Sequence, residues 1–271
     1  MVATAVNQEV KPVVDLTTTT RIVLIVEYDG TRYHGFQLQA KLPTIQGELE
    51  RAIWELTGER ERLTMASRTD AGVHAKGQVV SFRTRSKHSL ETFIKGLNYY
   101  LPKDVAVKAA HRVKDSFNVR RHAVSREYNY YILNSLARAP LREGFYYLVA
   151  GHLDIEAMNQ ASRLLIGEHD FASFVNNEAA AKSTVRRVYR AEMSQDGELA
   201  VFNMVANSFL MHQVRNTVGA LIRVGRSKMS NDEFYSILEE KKPGLAWPMA
   251  SARGLCLMQV NYQNPFEDGI C

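Results

Sequence analysis

Arg21-Ile22-Val23-Leu24-Ile25-Val26-Glu27-Tyr28-Asp29 is a short, β-branched apolar run that closes on Asp29-Gly30, a strand followed by a turn. Beyond Pro43, Thr44 can cap a helix with an apolar face of Ile45, Leu49, Ile53 and Leu56, ended by Gly58. The segment from Leu63 to Ala66 reads as a strand entering the turn at Asp70, and Gln78 to Phe82 as the next strand. Ser89 caps a second helix showing Leu90, Phe93, Ile94 and Leu97, stopped by Pro102, and Val105 to Val113 closes the unit as a strand. The second half repeats this order. Glu127 to Leu133 alternates as a strand, with Tyr128, Tyr130 and Ile132 on one face. Asp154 caps a helix bearing Ile155, Met158, Leu164 and Leu165. Val185 to Met193 and Leu199 to Val205 pair about Asp196-Gly197. A helix from about Phe209 to Val224, a shorter one from Asp232 to Glu240 and a strand from Leu255 to Tyr262 complete it. Strand, helix, two strands, helix, strand is the split βαβ order of ferredoxin-like and RNA-recognition folds. The pattern predicts an α+β protein of two ferredoxin-like, RRM-like domains, residues 21–115 and 116–264, whose antiparallel sheets flank a central cleft. Residues 1–20 and 265–271 form tails. The cleft is the natural substrate site.

The chain has 271 residues, 45% of them hydrophobic and 23% charged, the composition of an ordinary globular protein with ample core. A net charge of +5 is only mildly basic, but the cations are gathered. No acidic residue occurs from Leu199 to Asn231, where Arg215, Arg223, Arg226 and Lys228 fall. Arg112, Lys114, Arg120, Arg121 and Arg126 stand against Asp115 alone. Arg83, Arg85 and Lys87 form a third group, and Lys182, Arg186, Arg187 and Arg190 a fourth. Any one group is an ordinary solvated face; four of them, interleaved with tyrosine, read as a footprint for phosphates. Cys256 and Cys271 are the only cysteines, and neither a disulfide framework nor metal-ligand spacing follows from them. The histidines lack paired spacing, so no metal is expected, and His74, His122 and His212 read as hydrogen-bonded structural residues. No run approaches a membrane span, and the first twenty residues carry neither a signal-peptide core nor arginine. These features predict a cytoplasmic protein.

Chemistry concentrates at Ala66-Ser67-Arg68-Thr69-Asp70-Ala71-Gly72-Val73-His74-Ala75. Asp70 is one carboxylate in a small-residue turn, and between Arg62 and Lys103 the only other acid is Glu91. Thr-Asp-Ala-Gly is also ordinary turn chemistry, so Asp70 is either a cap or an ionised nucleophile in basic surroundings. Tyr128, in Arg126-Glu127-Tyr128-Asn129-Tyr130-Tyr131, is either a half-buried sheet residue or a platform for a base. Arg215 lies at the edge of the stripe Leu210, Val214, Val218 and Leu221, with Gly219 one turn on. It can snorkel or pair with Asp70; Arg68 offers the same partnership from the nearer side.

The string Arg68 to His74 resembles the signature of the TruA family, the tRNA pseudouridine synthases. Tyr28-Asp-Gly-Thr31, Gly35-Phe-Gln37, Thr44-Ile-Gln46, Gly77-Gln-Val-Val80, Asn98 with Leu101-Pro102, Phe117-Asn-Val-Arg120, Arg126 to Tyr130, Gly167 to Phe171, Phe209 to Asn216 and Gly254-Leu255 follow in that family's order. The likeness runs from about Arg21 to Tyr262. It implies a pseudouridine synthase fold and an isomerase converting uridine to pseudouridine at positions 38, 39 and 40 of the tRNA anticodon stem and loop. It makes Asp70 the nucleophile, Tyr128 a contact to the target base, Arg215 the partner of Asp70 and Arg68 a holder of the flipped nucleotide. No cofactor is implied, and a homodimer sharing the tRNA is. A non-catalytic RNA-binding module accounts for the charge and the fold order equally well. It leaves Asp70, which would repel phosphates, without a purpose. A protein-interaction scaffold would need exposed apolar patches that the sequence does not display.

Overall fold

A computed structural model describes residues 19–176, 183–264 and 266. The N-terminal tail up to residue 18, Lys182 of the fourth basic group, and Cys271 with nearly all of the C-terminal tail lie outside the described residues. The first half builds β1 (Thr20–Tyr28), α1 (Ile45–Thr57), β2 (Thr64–Met65), β3 (His74–Thr84), α2 (Leu90–Tyr100) and β4 (Val105–Val113). The second builds β5 (Ala123–Leu133), β6 (Tyr147–Leu148), α3 (Ile155–Arg163), β7 (Gly167–Asp170), β8 (Val185–Asp196), β9 (Leu199–Ala206), α4 (Gln213–Gly225), α5 (Asn231–Glu240) and β10 (Leu255–Tyr262).

The caps expected from sequence are made. The side chains of Thr44, Ser89 and Asp154 accept from the amides of Gly47, Thr92 and Ala157, each satisfying one orphan donor of a first turn. Ser230 and Glu233 add a reciprocal capping box to α5. α1 stops at Gly58 and α2 at Leu101, just before Pro102. One boundary moves. α4 begins at Gln213, four residues after the expected start, because His212 adopts a left-handed φ of 64° that a helix cannot contain. Phe209 and Leu210 carry helical spacing but belong to the turn before it. β6 and β7 were not visible in the pattern.

The strands of both halves join one ten-stranded sheet, in the order β4-β1-β3-β10-β5-β9-β8-β7, with β2 on β3 and β6 on β5. The link is β10: it runs parallel to β3 through His74↔Cys256 and Ala75↔Leu257, and antiparallel to β5 from Leu255↔Tyr130 to Tyr262↔Ala123. Thus the last of the described strands is the seam, and the expected sheets of the two halves become one. α2 packs on β4 and α1, and α3 on β8 and α4. Along β9, Ala200, Phe202, Met204 and Ala206 are buried while the residues between them are half-exposed, the alternation of a sheet covered on one face there. Among the described residues, no helix is long and apolar enough to cross a membrane.

Tyrosine burial gives the fold a definite alkaline limit. Burial pushes the Tyr128 phenol up to about 12, and carries those of Tyr28, Tyr130 and Tyr262 higher still, against an ordinary value of about 10. From pH 10 upward the unfolded chain releases protons that the folded chain keeps, so stability is full below about pH 10 and falls above it. The expected result is a melting temperature that is flat up to that pH and then drops together with the rise in tyrosinate absorbance.

Candidate active site

The turn bearing Asp70 lies between β2 and β3, and its backbone is fixed residue by residue. The Ala66 amide donates to Val79 O (2.9 Å). Ser67 is held by a buried amide, since Gln78 Nε2 donates to Ser67 O (2.7 Å) and Gln78 Oε1 accepts from the Ser67 amide (3.3 Å). Thr69 Oγ1 meets Tyr28 Oη at 2.8 Å, and Thr69 O accepts from the Phe36 amide at 3.0 Å. The Gly72 amide donates to Tyr33 O (3.2 Å), and Val73 N closes the turn on Asp70 O (3.2 Å). The segment 28–36 is therefore the cradle of this turn. A Cβ at Gly30 would sit 2.0 Å from Val73 O, so only glycine allows the two strands of backbone to approach so closely.

Arg126 supports the same turn from the second half. It is 6% exposed and has no carboxylate partner among the described residues. Its guanidinium instead donates to four carbonyls: Asn207 O (2.7 Å), Arg120 O (2.8 Å), Ala123 O and Ala66 O (both 3.2 Å). The arginine read from sequence as part of a basic surface is thus an internal strut. It also brings the loop holding Arg120 and Arg121 beside the Asp70 turn. Both of those side chains are exposed and unpaired among the described residues.

Asp70 meets the second half at α4. Arg215 Nη1 lies 3.4 Å from Asp70 Oδ2, and His212 Nε2 lies 3.5 Å from the same oxygen. Arg215 is aimed by Ala250, whose carbonyl accepts from Nε (2.9 Å) and whose amide donates to Arg215 O (3.1 Å). That contact depends on Gly219, where a Cβ would fall 1.8 Å from Pro248 O. Gly219→Ala forces the 248–250 segment away and is expected to destabilise the protein by roughly 3 kcal/mol. Turnover should fall as well, because Arg215 loses its guide. Thermal unfolding and steady-state rates check both.

Tyr128 is buried; its hydroxyl meets Ser67 Oγ at 2.9 Å and its ring stands edge-on to Phe209 at 5.1 Å. Burial foremost, and the Asp70 carboxylate further, hold the phenol protonated, at about 12, so near neutrality it serves as a hydrogen-bonding and packing group, not a base. Of the sequence candidates, then, Asp70, Tyr128 and Arg215 converge. Arg68 does not touch Asp70: it is exposed and lines a cavity of about 580 Å³ with Gln37, Leu38, Gln46 and Met65. His212, read from sequence as structural, stands at the carboxylate. His74 is the buried, bonded residue expected: Nδ1 accepts from the Gly30 amide (3.2 Å) and Nε2 faces Gly144 O (2.9 Å). A second cavity, of about 690 Å³ beside His74 and Lys76, includes none of the converging residues. No group of three metal-ligating side chains occurs among the described residues.

Asp70 of the first half and Arg215 of the second thus meet across the seam of an α+β sheet. The chain matches the family profile described as tRNA pseudouridine synthase over residues 24–120 and 161–263. It is 42% identical to the tRNA pseudouridine synthase A of Chloroflexus aurantiacus strain J-10-fl over 89% of this chain and 88% of that one. The proteins of the same name from Roseiflexus sp. RS-1 and Neisseria meningitidis serogroup C are 43% and 39% identical, across 92% and 91% of this chain and 92% and 93% of theirs. The chain belongs to the tRNA pseudouridine synthase family.

Proposed function

We propose that the protein isomerises uridine to pseudouridine at positions 38, 39 and 40 in the anticodon stem and loop of tRNA. The observation that carries this reading is the Asp70 carboxylate, fixed in its turn from the first half and met by Arg215 from the second, in a chain of this family. The reaction breaks the N1–C1′ bond, turns the base and joins C5 to C1′; the C5 proton leaves and N1 gains one, so atoms and electrons balance without a redox partner. Asp70 is the residue that assists the bond cleavage. Arg215 orients and neutralises it, and the neutral Tyr128 lies under the target base. Arg68, exposed two residues before Asp70, contacts the extruded nucleotide. Extruding a base from a stem costs a few kcal/mol, which phosphate contacts offset; Arg68, Arg120 and Arg121, unpaired among the described residues, are cations beside the turn that fit that purpose. The two halves, residues 21–115 and 116–264, act as domains on either side of the site, in a cytoplasmic homodimer that shares the tRNA.

The test is release of tritium from tRNA labelled at uridine C5, with the modified positions then mapped by carbodiimide adducts and primer extension. Release with stops at 38 to 40 is expected. Stops elsewhere would overturn the positions, and tRNA binding without release would leave a binding module.

A further inference from the structure

We infer that His212 is a positioning residue for Asp70: with Arg215 it clamps one carboxylate oxygen, Oδ2, and leaves Oδ1 as the oxygen offered to the nucleoside. The inference rests on the isomerase reading above. Three observations lead to it. The first is the backbone. His212 is one of four non-glycine residues with positive φ among the described residues, a conformation uncommon outside glycine, though histidine adopts it more often than most residues. It sits where the chain turns into α4, with its carbonyl accepting from the Asn216 amide at 2.9 Å. A residue held in that conformation projects its side chain in a direction that a helical one could not.

The second is the ring. Nδ1 lies 3.4 Å from Asn176 Nδ2. With the Asn176 amide turned this way its nitrogen donates and Nδ1 accepts, which leaves the ring proton for Nε2. Nε2 is the atom 3.5 Å from Asp70 Oδ2. In that arrangement the Nε2–H faces the carboxylate.

The third is how the carboxylate divides. Arg215 Nη1 and His212 Nε2 both approach Oδ2, whereas Oδ1 has no hydrogen bond among the described residues. A carboxylate held at both oxygens would have its lone pairs engaged. Held at one, it keeps a fixed direction and a free oxygen, as attack on a sugar carbon or a base, or removal of a proton, requires. Neither group is on the same element as Asp70, so closure of the seam aims the oxygen.

The test compares His212→Ala, His212→Gln and His212→Asn for tritium release at varied tRNA concentration, with melting temperatures alongside. For His212→Ala, kcat should fall about 10- to 100-fold while KM stays within about twofold. His212→Gln carries an amide N–H able to reach Oδ2 and should recover most of the loss. His212→Asn tolerates the left-handed backbone but is too short to reach; it should melt like the wild type and remain slow. Wild-type kcat in His212→Ala, or a glutamine variant no faster than the asparagine one, would overturn the clamp. Independently of turnover, the imidazole ¹⁵N signal missing from His212→Asn should report an Nε2–H ring in the resting protein, and an Nδ1–H ring would overturn the inference. Absence of release from the wild-type protein would instead overturn the isomerase reading.

Discussion

Asp70→Asn is expected to abolish tritium release from tRNA, lowering kcat by about 10⁴-fold or more, while tRNA binds as well as before or more tightly. The substitution is chosen because it changes charge and little else. The turn is fixed through backbone groups of residues 66 to 73 and through the side chains of Tyr28 and Gln78, none of which involves the carboxylate, so the loop keeps its shape. The asparagine carbonyl can still accept from Arg215. What disappears is the anion that acts at the nucleoside, and with it a negative charge that repels phosphates. Loss of activity with unchanged or improved binding separates an enzyme from a binding module. Turnover of purified Asp70→Asn within about threefold of the wild type would remove Asp70 from the reaction.

The largest effect on stability is expected at Arg126. Replacing it with methionine keeps much of the volume of the stem but strands four carbonyl oxygens, those of Ala66, Arg120, Ala123 and Asn207, in a site from which water is excluded. Orphaned buried acceptors and the loss of a charge-assisted fork together amount to about 3–5 kcal/mol, which for a chain of this size lowers the melting temperature by roughly 10 °C. Lysine offers a point charge without the planar fork and should recover only part of it. Because one of the four carbonyls opens the Asp70 turn, the methionine variant should also lose turnover at temperatures where it is still folded. A variant that melts within about 2 °C of the wild type would show that Arg126 is dispensable as a strut.

Much of this was legible in the sequence, for reasons that differ by element. The helices α1, α2 and α3 could be placed because their starts carry Thr44, Ser89 and Asp154, side chains whose hydrogen bonding is local. β4 and β10 could be placed because short apolar runs bounded by turn residues leave few alternatives. The start of α4 was not legible: Phe209 and Leu210 have helical spacing, and only the left-handed His212 between them and Gln213 shows that the spacing belongs to a turn. β7, Gly167-Glu168-His169-Asp170, has no alternation at all. It is a strand because Val185–Val188 of β8 supplies its partners, and pairing between distant residues leaves no local trace. At the site, Asp70, Tyr128 and Arg215 stood out by residue type and motif. Arg126 and His212 did not, because charge counting cannot tell a surface cation from a buried strut, and a lone histidine carries no spacing to read. The left-handed backbone that marks His212 has no signature in the sequence.

The place of β10 has a consequence for how the protein is made. A ribosome delivers Leu255–Tyr262 after every other strand described, yet these residues occupy the middle of the sheet between β3 and β5. Until they emerge, each half of the nascent chain carries an open edge with unpaired amides and carbonyls, and the distance from His74 to Cys256 along the chain makes their meeting a late event. The Asp70 turn and the arginine that answers it are therefore brought together only after Leu255–Tyr262 has been made. Removal of Leu255–Tyr262 would leave two half-sheets prone to pairing with strangers, and no working centre.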